Sequence, residues 1–468
     1  MTPLQRLRQP RAPLLATLLA LLIYRLTLAP DLTWAHHGGD GGDLITAAVT
    51  LGVPHPTGYP LYVLLGQLIS HFPAGNIPFR FNLFSALCLA LAAGLVAATT
   101  RARPGIQLAA GLTFALLPLV WSQAVISEVY GLNLLLVAAL LWVLRRPMPP
   151  PAARPGLAAG LLWGLSLTTH LTSLLLLPLI LWSWTRPPRP VLRYFLAGLL
   201  LGLTLLCLPP LLAAGSSPVV WGDLSHPAGW WWLVSGQLYR YNVLALPPAD
   251  WLPRLAQWSR AALLGYAWFI LPLLWLGRRT LLAPGRGNPT WPITLTATLY
   301  TLYAFGYHTN DAAVFLLPAL LLLSILLADG LRPLGPAALL LPIALLMLNF
   351  DGQNLSRDQI VRPLAGSVLR AAPANAILMA PGDQTIFTLW YFQHVEGQRP
   401  DLILVDSNLF AFDWYRQRLG QQYPELHHLA EDDLPGFRAQ NGTQPICDVA
   451  LTAPQPLICP AGVIPPPS

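Results

Sequence analysis

A chain of 468 residues that is 54% hydrophobic and only 10% charged, with a mean hydropathy of +0.53, carries far more apolar surface than a soluble core of that length buries. Its net charge of +7 comes from arginine alone, since no lysine is present, and the arginines cluster beside apolar runs. The excess therefore reads as membrane topology, which excludes a nucleic-acid-binding module as well as a soluble enzyme.

In chain order, Arg6, Arg8 and Arg11 precede an apolar run at 13–30, read as a retained first span because no small-residue cleavage site follows convincingly. Further apolar segments fall at 81–100, 105–121, 129–144, 156–169, 171–184, 191–212, 260–277, 290–306, 312–330 and 335–350. These make eleven expected spans, with the split between 156–169 and 171–184 placed at His170. With the N-terminus cytoplasmic, the inner loops hold Arg101 and Arg103, then Arg145, Arg146 and Arg154, then Arg186, Arg189 and Arg193, then Arg278, Arg279 and Arg286, then Arg332. Each inner loop satisfies the positive-inside rule. The segment from Tyr59 to Phe72, bounded by Pro60 and Pro73, reads as a helix lying in the outer interface. The loop at about 213–257 is crowded with Trp221, Trp230, Trp231, Trp232, Tyr239, Tyr241 and Trp251, rings that favour the headgroup level.

After Phe350 the composition changes, with twelve of the twenty acidic residues lying between Asp351 and Ser468. Residues 1–350 are expected to form the transmembrane domain and 351–468 a small extracytoplasmic α/β domain. Its strands are expected at Ala376–Ala380 and Asp401–Asp406, paired in parallel, and its helices at Thr385–Glu396 and Trp414–Gln422. The end, with Pro454, Pro456, Pro460 and Pro465 to Pro467, is expected to be irregular. Cys447 and Cys459 in this tail are candidates for a disulfide if the tail is extracytoplasmic; Cys88 and Cys207, in apolar segments, read as inert.

Acids are costly beside hydrocarbon, so the eight in the first 350 residues are informative: Asp31, Asp40, Asp43, Glu128, Asp223, Asp250, Asp311 and Asp329. On the expected topology Asp40, Asp43, Glu128, Asp223 and Asp311 share the outer face with His55 and His170. Asp40 and Asp43 stand three apart in a glycine-rich junction. One carboxylate can serve as general base on a hydroxyl while the other orients a partner or metal; a polar turn between helices is the other reading. His55, between Pro54 and Pro56, is held by rigid neighbours and can face a phosphate, as can Arg240, whose guanidinium pairs bidentately with phosphate oxygens. Arg25, inside the first span, reads as snorkelling to the headgroups. The histidines do not fall at zinc-ligand spacing, and no phosphate-cradling glycine loop or nucleophile elbow is present. No cofactor is expected, and a divalent metal stays open.

Three stretches carry a family resemblance: Gly39-Asp40-Gly41-Gly42-Asp43-Leu44, then Leu51 to Tyr62 with Pro54-His55-Pro56-Thr57-Gly58-Tyr59-Pro60, then Arg80-Phe81-Asn82-Leu83-Phe84-Ser85-Ala86. They resemble the protein O-mannosyltransferase-like transmembrane family of the GT-C glycosyltransferase superfamily. Ser127-Glu128-Val129-Tyr130, Gly164-Leu165-Ser166 with His170, Trp221-Gly222-Asp223, Gln237 with Tyr239-Arg240, Asp311 with Phe315 to Pro318, Gly382-Asp383-Gln384, Leu389-Trp390-Tyr391 and Arg399-Pro400-Asp401 continue the likeness in order.

The resemblance implies a GT-C-like polytopic α-helical fold and a multi-pass protein of a bacterial plasma membrane. It implies an inverting transferase that moves a mannose-like sugar from a polyprenyl-phosphate donor to an extracytoplasmic hydroxyl on protein, lipid or glycan. Asp40 maps onto the general base, with Asp43 as second catalytic acid standing where the family shows Glu. The expected substrate-binding set is His55, Tyr59, Glu128, His170, Asp223, Tyr239, Arg240 and Asp311. The alternative is a secondary transporter using intramembrane carboxylates, which would place charges near the bilayer midplane and repeat its halves. A nonenzymatic scaffold is a third possibility, and it has no need of acids and histidines at span ends.

Overall fold

A computed structural model describes residues 11–100, 102–145, 153–184, 190–265 and 290–459. The expected span at 260–277 from residue 266 onward, Arg6, Arg8, Arg101, Arg146, Arg186, Arg189, Arg278, Arg279, Arg286, Pro460 and Pro465 to Pro467 lie outside the described residues.

Apolar helices build the N-terminal three-quarters of the chain. Among the described residues three are long and apolar enough to cross a membrane, Ile77–Thr99, Val191–Ala213 and Ala312–Gln353. A fourth results if Pro104–Leu116 and Pro118–Ala124, bent by 70° at their junction, count as one. The eleven expected spans thus do not all appear as full-length helices. Some expected spans are regular helices a little short of a full crossing, Arg11–Thr27, Tyr130–Leu144, Ala153–Thr169 and Thr290–Gly306; elsewhere Pro118 opens a new helix where one run was expected, and the run after His170 begins as a 3₁₀ turn, Leu171–Leu176, before Leu177–Trp184. The stretch Ala312–Gln353 holds 42 residues, about 63 Å if straight, roughly twice a bilayer core. It is interrupted at Gly335, with φ 55°, and both arms pack on the Pro104–Leu116 helix, so it folds back on itself. Leu355 N donates to Thr27 O at 2.9 Å, which returns the second arm to the end of the molecule where the first helix, Arg11–Thr27, leads into the Asp40 loop.

The helices Ala153–Thr169 and Pro190–Leu203 approach one another closely. A Cβ added at Gly160 would lie 1.9 Å from Phe195 O and one at Gly198 2.1 Å from Leu157 O. Without a hydrophobic drive between helices in lipid, such close backbone approach over small residues is what holds them together.

The C-terminal unit contains a four-stranded sheet ordered β2-β1-β3-β4, with β1 Ile377–Ala380, β2 Ile403–Asp406, β3 Ile446–Val449 and β4 Leu457–Ile458. β1 pairs in parallel with β2, from Ile377↔Ile403 to Ala380↔Asp406, and with β3; β4 runs antiparallel to β3. The helices that connect them include Asp383–Trp390 and Asp413–Gln422. β3 is not among the expected strands, and β4 is a two-residue strand within the proline-rich stretch expected to be irregular. β4 occupies the two residues after Pro456, too short to show alternation, and a Cys447–Cys459 disulfide closes the hairpin. Leu32, Ile45, Val53 and Trp221 from the segments around Asp40 belong to the same buried cluster as Leu378, Phe387 and Leu404, so the sheet and those segments share one core.

Arg362 ties the two parts together. Its guanidinium bonds both Asp31 in the first loop and Glu396, the latter at 2.7 and 2.8 Å, and its face covers the Phe392 ring at 5.0 Å.

Candidate functional site

The loop after the first helix ends in a 3₁₀ turn, Ala35–Asp40, that leads directly into the short helix Gly41–Thr50. This places Asp40 at the junction and Asp43 in the first helical turn, where a carboxylate suits the helix dipole. Asp43 is fully buried. One of its oxygens accepts from the His55 backbone N at 3.0 Å and from His55 Nδ1 at 2.7 Å; the other accepts from Trp221 Nε1 at 3.2 Å. With Nδ1 so engaged, His55 turns Nε2 toward Asp40, 3.6 Å from its Oδ2. The imidazole is fixed on its other sides by Phe387, stacked at 6.3 Å, and by Tyr59 and Trp221 edges at 5.1 and 6.1 Å.

Electrostatics follow from this line of three groups. Burial works against the charged form of His55, but Asp40 and Asp43 on either side outweigh it and push its pKa up to about 9. Burial raises the Asp40 carboxyl to about 6, partly offset by His55 and reinforced by the nearby acids Asp383, Asp43 and Asp311. Asp40 keeps 40% of its side-chain surface open, and that surface faces a cavity of about 510 Å³. Near neutral pH it is thus a carboxylate with raised proton affinity, beside a fixed imidazolium and open to a ligand.

His55, Tyr59, His170, Tyr239, Arg240 and Asp311 line the same cavity as Asp40. Arg240 arrives on a 3₁₀ turn, Gln237–Asn242, entered through Gly236 at φ 60°. His170 caps the following turn, accepting from Thr172 N at 3.3 Å, and packs between Tyr130 and Phe315. The cavity therefore gathers seven of the ten residues singled out from the sequence. Asp43 is enclosed behind His55 and does not reach the cavity, so it positions the imidazole; it cannot touch a substrate. Glu128 is buried beside the cavity but not in its wall, within electrostatic range of Asp40 and His55. Asp223 turns away: its carboxylate, 46% exposed, accepts from Ser225 N at 3.1 Å and meets His226, closing its own turn. Arg25 lies over the Phe79 ring at 5.0 Å.

Two groups in the cavity wall come from the C-terminal unit, Asp383 and Phe387. Gly382, at φ 82°, ends the turn after β1, and the helix Asp383–Trp390 starts from it. Burial raises the Asp383 carboxyl against the pull of His55. The carboxyl end of a parallel strand is where α/β folds place ligands, a signal that Pro381-Gly382-Asp383 after a short apolar run offers in sequence. Among the described residues no group of three or more His, Cys, Asp and Glu side chains is arranged to hold a metal.

Replacing Asp43 by Ala leaves three buried donors without their acceptor. We expect a stability loss of about 3–5 kcal/mol, read by thermal unfolding, whereas Asp43→Asn keeps the shape and lowers the His55 pKa. An Asp43→Ala protein as stable as the parent would rule out this anchoring.

Residues 40–187 match the family model for the protein O-mannosyl-transferase TMEM260 N-terminal domain, and residues 361–429 match TMEM260-associated domain 2. The mouse protein O-mannosyl-transferase TMEM260 is 28% identical over 463 residues, covering 86% of this chain and 64% of the relative. The Dictyostelium discoideum protein of the same name is 30% identical over 128 residues, 26% of this chain and 15% of that one. The chain thus spans less than two thirds of the length of these relatives. Among solved structures, ArnT from Cupriavidus metallidurans bound to undecaprenyl phosphate superposes with a TM-score of 0.53 at 14% identity, over 97% of this chain and 99% of that one. That likeness shows a shared polytopic, mostly helical fold.

Proposed function

We propose, for a chain that belongs to the protein O-mannosyltransferase-like family with a GT-C fold, that it is a membrane glycosyltransferase. It takes a mannose-like sugar from a polyprenyl-phosphate donor and passes it to a hydroxyl acceptor outside the cytoplasm. The observation that carries this reading is the line from Asp43 through His55 to Asp40, the last two standing in the wall of a cavity that also holds Arg240. In the reaction Asp40 removes the acceptor hydroxyl proton as the acceptor oxygen bonds the anomeric carbon. The bond from that carbon to the phosphate oxygen breaks, and the polyprenyl phosphate leaves against Arg240. A single displacement inverts the anomeric centre and needs no enzyme-bound intermediate.

The same proposal carries the arrangement expected from sequence. It has about eleven spans with the N-terminus cytoplasmic, a transmembrane part at 1–350 and an extracytoplasmic unit at 351–468, in a bacterial plasma membrane. The ArnT neighbour bound to undecaprenyl phosphate supports a lipid-phosphate donor, and the matched TMEM260 relatives support sugar transfer.

The test supplies purified protein in lipid with a panel of radiolabelled polyprenyl-phosphate sugars and protein, lipid and glycan acceptors. Label transfer from one of the donors is expected. No transfer from any donor, with proton or ion flux across proteoliposomes, would put the transporter in its place. Arg240→Ala is expected to lower kcat/KM by about 10²-fold, with Arg240→Lys recovering only part, because a lysine offers a point charge where the guanidinium offers a fork. Unchanged kinetics in Arg240→Ala would remove it from the phosphate site.

A further inference from the structure

One carboxylate in the cavity wall has no part in the reaction as written. Asp383 opens the helix Asp383–Trp390 directly after Gly382, and its side chain is exposed while every residue from Thr385 to Trp390 is buried. It stands in the wall of the cavity that holds Asp40. Other acids of the C-terminal unit are occupied within the protein: Glu396 by Arg362 and Tyr391, Asp401 by Arg399, and Asp406 by the backbone N–H groups of Asn408 and Leu409. The Asp383 carboxylate makes no hydrogen bond or ion pair among the described residues. Its position is nonetheless fixed. The helix that carries it is pinned to the Asp40 loop twice, by Trp34 Nε1 donating to Thr388 Oγ1 at 3.1 Å and by Gln384, whose Cγ lies 3.1 Å from where a Cβ on Gly39 would stand. Phe387, one turn on from Asp383 and so on the same face, stacks on His55. An acid held rigidly, open to the cavity and unpaired with protein, is placed to meet a ligand.

Charge and hydrogen bonding narrow the ligand. An ionised carboxylate accepts and cannot donate, so the donor's phosphate, which is also negative and accepting, is repelled by Asp383 and stays with Arg240. The acceptor hydroxyl brings one proton, and that proton goes to Asp40. The transferred sugar remains, and it must enter this cavity for the reaction to occur. Its ring carries several hydroxyl donors, and two neighbouring ones match the two oxygens of one carboxylate. We propose that Asp383 is a specificity-determining residue that accepts hydrogen bonds from ring hydroxyls of the transferred sugar. The inference rests on the glycosyltransferase reading and deepens it, since it makes the C-terminal unit part of the sugar site. The same charge bears on Asp40. The groups acting on that carboxyl are His55, Asp383, Asp43 and Asp311, with Asp383 ahead of Asp43 and Asp311, and Arg240 shares the cavity. Removing the Asp383 charge therefore lowers the proton affinity of Asp40.

The experiment uses the full chain in nanodiscs, with Asp383→Asn and Asp383→Ala beside the parent. Both variants should unfold within a few degrees of the parent, because no protein group loses a partner; a variant that unfolds far below it would show the carboxylate serving the fold and overturn the proposal. Transfer is measured from the active polyprenyl-phosphate sugar and from its monodeoxy forms. Asp383→Ala is expected to lower kcat/KM for the full sugar by about 10–100-fold, the loss of a charged hydrogen bond, with Asp383→Asn in between. At least one monodeoxy donor should be transferred poorly by the parent and no worse by Asp383→Ala, because the hydroxyl and its acceptor form one interaction that is lost once. In Asp383→Asn the acid limb of the pH profile, near 6 in the parent, should move to lower pH, a change that a merely structural role would not produce. The proposal is overturned if the parent transfers every monodeoxy donor as it does the full sugar, or if the two losses multiply at every ring position. Parental kinetics in both variants, or a loss that follows the acceptor and not the sugar, overturns it as well. If the parent transfers no sugar, the glycosyltransferase reading fails on its own and lipid binding decides the sugar contact. The parent should then hold polyprenyl-phosphate mannose more tightly than polyprenyl phosphate, and Asp383→Ala should erase the difference; equal binding of the two lipids by the parent leaves Asp383 without a sugar to hold.

Discussion

Replacing Asp40 by Asn is expected to lower kcat for sugar transfer by about 10²–10⁴-fold while the protein stays folded. The size follows from the role: an amide of the same shape keeps the cavity but cannot take the acceptor proton. Stability should hold, because burial raises the Asp40 pKa to about 6 in the folded state. A carboxyl raised on folding opposes folding once it ionises, so at neutral pH the folded state does not depend on its charge. The same shift sets the pH profile. In the parent, kcat/KM should rise with pH through about 6 as Asp40 ionises. It should fall again near 9 as His55 loses the proton held between Asp40 and Asp43. Because the two groups interact closely, these are the titrations of the pair. A profile flat from pH 5 to 8, or transfer by Asp40→Asn equal to the parent, would remove Asp40 as the base.

Much of this site was legible because acids are rare in the chain. A carboxylate near lipid has few cheap explanations, so Asp40, Asp43 and Asp311 stood out, and the rigid Pro54-His55-Pro56 segment marked His55. What sequence could not give was direction. Asp43 and Asp223 both follow or flank glycine, yet Asp43 is sealed behind His55 and Asp223 faces out to close its own turn. The shorter side chain of Asp43 reaches its partner because the first turn of Gly41–Thr50 lies against the His55 backbone. Where the apolar runs bend was illegible for a related reason. Hydropathy reports apolar length, whereas a bend such as that at Pro118 or the reversal at Gly335 depends on how neighbouring helices pack. Asp383 was hidden by distance along the chain: it lies some 340 residues from Asp40, and only the core shared by the sheet and the segments around Asp40 brings it to the cavity.

That shared core leads to the second large effect, expected at Gly42. A Cβ there would lie 2.3 Å from Phe387 O and 2.5 Å from Phe387 C, and both contacts are backbone. No rotamer change relieves them, so Gly42→Ala must drive the Gly41–Thr50 helix and the Asp383–Trp390 helix apart. Phe387 stacks on His55, and Asp383 begins the same helix, so the displacement moves two cavity walls at once. We expect transfer to fall by at least about 10²-fold, as a misplacement of about 1 Å is enough for a loss of that order. Limited proteolysis between Asp351 and Val361 should become faster as the C-terminal unit loosens from the Gly41–Thr50 helix. The contrast with Asp40→Asn is diagnostic: that variant should resist protease as the parent does and lose only chemistry. If Gly42→Ala kept both parental transfer and parental protease resistance, the C-terminal unit would have no part in holding the cavity together.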